Sequence, residues 1–266
     1  MFLNLKGDLQ SLKTPIVMGV LNCTDDSFYA GSRFKEDSDV IIRATEILTQ
    51  GGVLIDLGAV STRPDSHPID AGTEYMRIKK YLNLILKYIP HAKVSVDTFR
   101  SNVAEMAIGE GAAMINDVSG EDEKMFKVVA SHRIPYCLTH NSRGRELTNE
   151  ELIPDMLTFF GNKVEQLKQM GANDIILDPG FGFGKSIDQN FYLMKNLAVL
   201  HELELPLLVG ISRKSMIYKS LDSTPEHALA GTIALNTIAV LNHAHILRVH
   251  DVKEALDTIV ITEKCM

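Results

Sequence analysis

Eight times along this chain a short aliphatic run gives way to a longer segment of helical periodicity, and that alternation constrains the fold more than any other feature. The predicted strands are Ile16–Leu21, Val53–Leu57, Lys93–Val96, Ala113–Ile115, Pro135–Thr139, Ile175–Leu177, Leu207–Ile211 and Ile246–Val249. The predicted helices lie near 37–50, 73–88, 101–110, 122–131, 149–170, 188–200, 225–242 and 251–262. The strand runs show little polar alternation, as expected of strands covered on both faces in a parallel sheet flanked by helices. Eight such units in 266 residues predict an α/β fold, a single-domain (β/α)8 TIM barrel over 1–266. An open doubly wound sheet rarely needs so many regular units. Gly51-Gly52, Gly111-Ala112 and Gly171-Ala172 read as helix stops.

In a barrel of this kind the chemistry sits where the strands end at their carboxyl side. Those ends supply Asn22, Asp56, Asp97, Asn116, His140, Asp178, the run Ser212-Arg213-Lys214, and Arg248 with His250. The most conspicuous end is at 174–186, where an aliphatic run stops at Asp178 and passes into Pro179, Gly180, Gly182 and Gly184. So little side-chain bulk predicts a ligand lying against the backbone beside the carboxylate, the alternative being an aspartate that caps the next helix. Two common glycine motifs are excluded by spacing. A P-loop would need glycine where Pro179 stands, and the dinucleotide fingerprint would need a longer gap between Gly182 and Gly184.

Asp97, Asn116 and Asp178 together suit a flat heterocycle, because a carboxylate accepts two parallel N–H bonds and an amide both donates and accepts in one plane. Each alone could equally close a loop through an Asx-turn. A second group is cationic: Arg63, Lys214, and Arg248 with His250. In a chain of net charge −7 these would concentrate positive potential on an anion such as phosphate or diphosphate. Asn22, with Asp25 and Asp26 nearby, is a candidate to hold a bridging magnesium ion (Mg2+). Arg213 is expected to form ion pairs between loops, and Lys214 to donate hydrogen bonds rather than form a Schiff base.

The acidic balance argues against nucleic acid and anionic membrane as partners. No run approaches membrane-spanning length, and the N-terminus lacks the features of an export signal. Cys23, Cys137 and Cys265 are scattered and odd in number, which fits a reducing, cytoplasmic setting. There is no Gly-x-Ser-x-Gly elbow and no His-x-x-x-His pair, so serine catalysis and a zinc site are not predicted; Cys23 reads as a packed thiol.

Seven ordered segments then resemble those of the dihydropteroate synthases, over essentially the whole chain. They are MGVLNCTDDSF at 18–28, STRP at 61–64, SVDTFR at 95–100, INDVSG at 115–120, LDPGFGFGK at 177–185, GISRKS at 210–215 and RVHDV at 248–252. The resemblance implies a barrel that joins 6-hydroxymethyl-7,8-dihydropterin diphosphate to p-aminobenzoate, releasing diphosphate and forming dihydropteroate. By the same resemblance Asp97, Asn116, Asp178 and Lys214 would hold the pterin. Asn22, Arg63, Arg248 and His250 would hold the diphosphate, with Asn22 on its magnesium. Phe28, Thr62, Arg63, Phe183 and Ser212 would hold p-aminobenzoate, and Asn22, Lys214, Arg248 and His250 would carry the catalytic step. A homodimer is implied as well.

The chain departs from the family pattern in its loops: Asp25 stands for the usual Pro, Ala30 for Asp, Val60 for Glu and Asp65 for Gly. After the fifth strand the usual Met-His-Met is Thr139-His140-Asn141. Two other readings stay in view: a corrinoid-linked methyltransferase on the same kind of pterin-binding barrel, which would share the Asp and Asn pterin set, and a non-catalytic pterin-binding paralogue, which these loop departures suggest. The first gives no reason for the STRP and RVHDV segments.

Overall fold

The computed structural model describes residues 1–23, 37–59 and 69–266. Its strands are β1 (Phe2–Leu5), β2 (Asp8–Ser11), β3 (Ile16–Asn22), β4 (Leu54–Gly58), β5 (Val94–Asp97), β6 (Met114–Asp117), β7 (Tyr136–Thr139), β8 (Ile175–Asp178), β9 (Leu208–Val209) and β10 (Ile246–Val249). The last eight form one parallel sheet in the order β8-β7-β6-β5-β4-β3-β10-β9, and the bridge Leu177↔Leu207 joins its two edges. A ring of eight parallel strands with helices outside is the (β/α)8 barrel that the alternation predicts.

The surrounding helices are α1 (Asp37–Thr49), α2 (Ala71–Tyr88), α3 (Ser101–Gly109), α4 (Glu123–His132), α5 (Asn149–Gln169), α6 (Ile187–Lys195), α7 (Ser215–Tyr218), α8 (Leu229–Leu241) and α9 (Val252–Glu263). Helices α1, α3 and α5 stop just before Gly51-Gly52, Gly111-Ala112 and Gly171-Ala172. Two predicted helices are less regular than the periodicity suggests. The one expected over 188–200 is α6 followed by a 3-10 segment at Leu197–Leu203, and the one expected over 225–242 opens with a 3-10 turn at Pro225–His227 before α8. Pro225 sits at the start of that turn, where the missing N–H costs nothing.

Alternation along each strand divides the core. Outward residues such as Ile55, Leu57, Val94, Val96, Ile115, Leu138 and Leu247 pack under the helices. Inward residues Met18, Leu54, Met114, Cys137, Ile176, Leu208 and Ile246 fill the lower barrel with Leu3, Leu5 and Leu12. The β1–β2 hairpin that brings in these leucines is a feature the sequence reading missed. Its strand reads exposed, buried, exposed, buried, and the turn at Lys6 and Gly7 has positive φ at both residues, 58° and 90°, the geometry favoured in tight hairpins. Burial of each leucine contributes about 1.5–3 kcal/mol, so the hairpin seals the floor that an open barrel would leave wet.

Two residues further along the same inward rows the side chains become polar. Leu54 is followed by Asp56, Met114 by Asn116, Ile176 by Asp178 and Ile246 by Arg248. The barrel is therefore apolar below and charged above, and the candidate site occupies the upper layer. Among the described residues no helix is long and apolar enough to cross a membrane.

Candidate active site

Arg248 is the centre of the upper layer. Its Nε donates to Asp56 Oδ2 at 2.6 Å and its Nη2 to Asp97 Oδ2 at 2.9 Å, so one planar guanidinium ties β10 to β4 and β5. Asn116 donates from Nδ2 to the same Asp56 oxygen at 3.2 Å. Burial alone would disfavour the charge on Arg248, but Asp56 and Asp97 outweigh it and raise its pKa above the ordinary value. Burial also pushes the Asp97 carboxyl up to about 7, with Arg248 acting against the rise and Asp56, Asp117 and Asp178 adding to it. Asp56 Oδ1 and Asn116 Oδ1 are buried with no hydrogen-bond partner among the described residues. Buried polar atoms are rarely left so, and both can accept from a ligand N–H. Asp56 had no assigned role in the sequence reading; its inward register two residues after Leu54 was the available signal.

Asp178 closes the next part of the wall. Its Oδ1 accepts from the Gly180 N–H at 2.8 Å, so the carboxylate shapes its own loop as an Asx-turn while remaining on the inward row. Burial raises its pKa, and Lys214 is the strongest opposing influence. Burial in turn lowers Lys214 to about 8, which leaves the ammonium mostly charged near neutrality. Lys214 donates to the Phe181 carbonyl and its Nζ lies 4.9 Å from the centre of the Phe183 ring.

The glycines after Asp178 have a different cause from the one their spacing suggests. A Cβ at Gly180 would stand 2.0 Å from the His140 carbonyl oxygen, and one at Gly184 would stand 2.2 Å from the Arg143 backbone nitrogen. The loop is bare because it docks backbone to backbone on residues 140–143, the segment after β7. Lys185 clamps this contact: its buried Nζ donates to the carbonyls of His140, Gly180 and Phe183 at 3.0, 3.0 and 3.3 Å. Burial pulls its pKa down to about 7, against Asp178. Phe183 thus stands between Lys214 and Arg143, whose guanidinium carbon lies 5.7 Å from the ring centre. Sequence reasoning gave Lys185 no role; the lysine at the end of the glycine run was the visible signal.

On the β10 side, His250 and Ser212 meet directly. The His250 backbone N–H donates to Ser212 Oγ at 3.2 Å, and Oγ lies 3.0 Å from His250 Nδ1. The hydroxyl proton is then available to Nδ1, which puts the imidazole proton on Nε2. Burial, with Arg248 adding, lowers His250 to about 3, so the ring is neutral and does not supply the cationic charge expected of it. Arg213 does what the sequence suggests. It pairs with Asp251 at 2.9 and 2.8 Å and donates to the carbonyls of Pro225 and Glu226.

His140, although at a strand end, is turned away from the mouth. It shares the outward row with Leu138, meets Asp155 Oδ2 of α5 at 2.8 Å, and packs on Phe159 and Phe160. Cys23 is a packed thiol whose pKa burial pushes up to about 12. Asn22 ends β3 on the inward row beside Gly58, where a Cβ would stand 2.9 Å from Asn22 Oδ1. Phe28, Thr62 and Arg63, with Asp25, Asp26, Ala30, Val60 and Asp65, lie outside the described residues.

The layer of three carboxylates (Asp56, Asp97, Asp178), an amide and two half-buried cations at the carboxyl ends of a (β/α)8 barrel suits a flat heterocycle, and the class of protein it belongs to is that of the pterin-binding barrel enzymes. The pterin binding enzyme family matches residues 18–250. The dihydropteroate synthase of Clostridium beijerinckii is 39% identical over 243 residues, covering 90% of this chain and 89% of that protein. That of Escherichia coli is 35% identical over 267 residues, covering 97% and 94%. The crystal structure of the Yersinia pestis dihydropteroate synthase with a sulfonamide drug complex superposes with a TM-score of 0.93 at 34% identity, covering 100% of this chain and 98% of the other. This chain belongs to the dihydropteroate synthase family, transferases of folate biosynthesis.

Proposed function

We propose that the barrel mouth performs the dihydropteroate synthase reaction with the roles that follow. The observation that supports this reading is the inward row itself, in which buried Asn116 and Asp178 and half-buried Asp97 lie at the strand ends with Lys214 and Arg248. The aminopyrimidine edge of the pterin donates to Asp178 and Asn116, and Lys214 donates to a ring acceptor. Asp97, beside Arg248, meets the reduced ring near its reacting methylene.

In the chemical step the bond between the methylene carbon and the diphosphate oxygen breaks, and its electron pair leaves with the diphosphate. Arg248 stabilises the charge that develops there, while neutral His250 donates from Nε2. The carboxylates around the pterin stabilise the ring-delocalised cation. The p-aminobenzoate nitrogen then forms the new C–N bond and gives up its proton to water or diphosphate. Phe183, and Phe28 by resemblance, flank the benzoate ring; by resemblance Thr62 and Ser212 meet its carboxylate and Arg63 closes the pocket, the Ser212 hydroxyl turning its one proton from His250 Nδ1 to the carboxylate to do so.

Asn22 Oδ1, a hard neutral oxygen at the mouth, would hold a magnesium ion. Bound there, the ion would neutralise charge on the departing diphosphate. A cytoplasmic homodimer completes the reading. Three unpaired cysteines support a reducing compartment, and exposed Ile238, Leu241, Val260 and Ile261 on α8 and α9 support an apolar contact between copies.

The deciding experiment follows diphosphate release from the pterin diphosphate with and without p-aminobenzoate and magnesium. Release coupled to dihydropteroate formation is expected, and no turnover under any combination would reject the reading.

A further inference from the structure

Thr139 ends β7 on the inward row, two residues beyond Cys137, and is fully buried. Asp178 is its register partner on β8, and β6 on the other side carries Asn116. Among the described residues the hydroxyl Oγ1 has no hydrogen-bond partner. Its methyl Cγ2 lies 3.1 Å from where a Cβ on Gly180 would stand, so the methyl is turned to the glycine loop and the hydroxyl elsewhere. Ser95 Oγ, Asn116 Oδ1 and Asp56 Oδ1, on the inward rows of neighbouring strands, are also buried and without a hydrogen-bond partner among the described residues. A folded chain seldom leaves four such oxygens on inward rows unless a partner from outside satisfies some of them.

We propose that the Thr139 hydroxyl is a further specificity-determining group for the pterin, hydrogen-bonding the ring between Asn116 and Asp178. A hydroxyl both donates and accepts, so it serves a ring N–H or a ring acceptor without a change of charge. The methionine usual at this place in the family pattern has no such donor. This chain therefore adds a polar contact to a pocket whose other members are charged groups and an amide. The inference rests on the pterin reading of the site, and its test separates the two.

The experiment is calorimetric titration of 6-hydroxymethylpterin into the unaltered protein, Thr139→Val, Thr139→Ala and Thr139→Ser, with Asp178→Asn as reference. Thr139→Val, nearly isosteric, is expected to weaken binding roughly tenfold, with Thr139→Ala at least as weak, while Thr139→Ser stays within about threefold. The ligand-free Thr139→Val protein is expected to melt at the same temperature or higher, because an unsatisfied buried hydroxyl has been removed; a purely structural hydroxyl would lower it. Unchanged affinity in Thr139→Val overturns the proposal. So does an equal loss in Thr139→Ser and Thr139→Val, which assigns the effect to the methyl on Gly180. Failure of the unaltered protein to bind the pterin rejects the underlying reading as well.

Discussion

Arg248 and Asp56 form a 2.6 Å ion pair between residues 192 positions apart, with Asp56 fully buried. The arginine assigned by resemblance to the leaving group is thus built into the pterin wall. It faces Asp56 and Asp97 at once, and its removal leaves one buried and one half-buried carboxylate without their cation.

Arg248→Ala is accordingly expected to weaken bare hydroxymethylpterin as well as the pterin diphosphate, and to destabilise the ligand-free protein by about 3 kcal/mol. Urea denaturation and calorimetry with both ligands measure this. Loss confined to the diphosphate would show that the Asp56 contact contributes nothing to the pterin pocket. Arg248→Lys keeps the charge but not the two-carboxylate geometry and is expected to recover only part of the loss.

Pterin affinity is expected to follow a bell-shaped pH profile. Asp97, at about 7, must ionise to accept from the ligand, so binding strengthens as pH rises toward and through that value. Lys214, at about 8, must stay protonated to donate, so binding weakens above it. Asp97→Asn should flatten the acid limb and Lys214→Met the alkaline one. Stability of the ligand-free protein runs oppositely on the acid side. Native Asp97 holds a proton that the unfolded chain has lost, so stability falls as pH rises from about 4 to about 7, and Asp97→Asn should remove that slope.

Gly180→Ala and Gly184→Ala are expected to cost more than about 2 kcal/mol each, since the added carbon meets fixed backbone of residues 140–143 at a positive φ, 69° and 71°. Gly182→Ala meets only the flexible Lys214 side chain at 3.4 Å, and about 1 kcal/mol is expected. Chemical denaturation midpoints rank the three. Equal costs would mean that the loop moves freely off the 140–143 segment.

Lys185→Met takes the shared donor from three carbonyls, of which those of Gly180 and Phe183 keep a second donor and that of His140 does not, and it releases the clamp behind Phe183. The KM for p-aminobenzoate is expected to rise about tenfold, with pterin affinity changing less than about threefold. A uniform loss of both would place Lys185 in general stability rather than in the benzoate wall.

Much of this protein is legible locally. Each predicted strand is there because its aliphatic run is buried on both faces, and period two along those runs puts Asp97, Asn116 and Asp178 inward beyond Ser95, Met114 and Ile176. The same parity, applied to Leu138, would have sent His140 outward to Asp155. The β1–β2 hairpin was harder to see, because Leu3 and Leu5 look like an ordinary short N-terminus until there is a barrel floor for them to seal.

The barrel and the identity of the polar residues at its strand ends follow from the chain alone, since burial pattern and strand periodicity act between near neighbours. Which of those groups face each other is set by the closed ring. The Arg248 bridge to Asp56 and Asp97, the Lys185 clamp on the His140 carbonyl, and the neutral His250 held by Ser212 all depend on strands that are distant in the chain but adjacent in the ring. The pKa shifts follow from the same cause, because desolvation and charge proximity arise when the ring closes and do not exist along the extended chain.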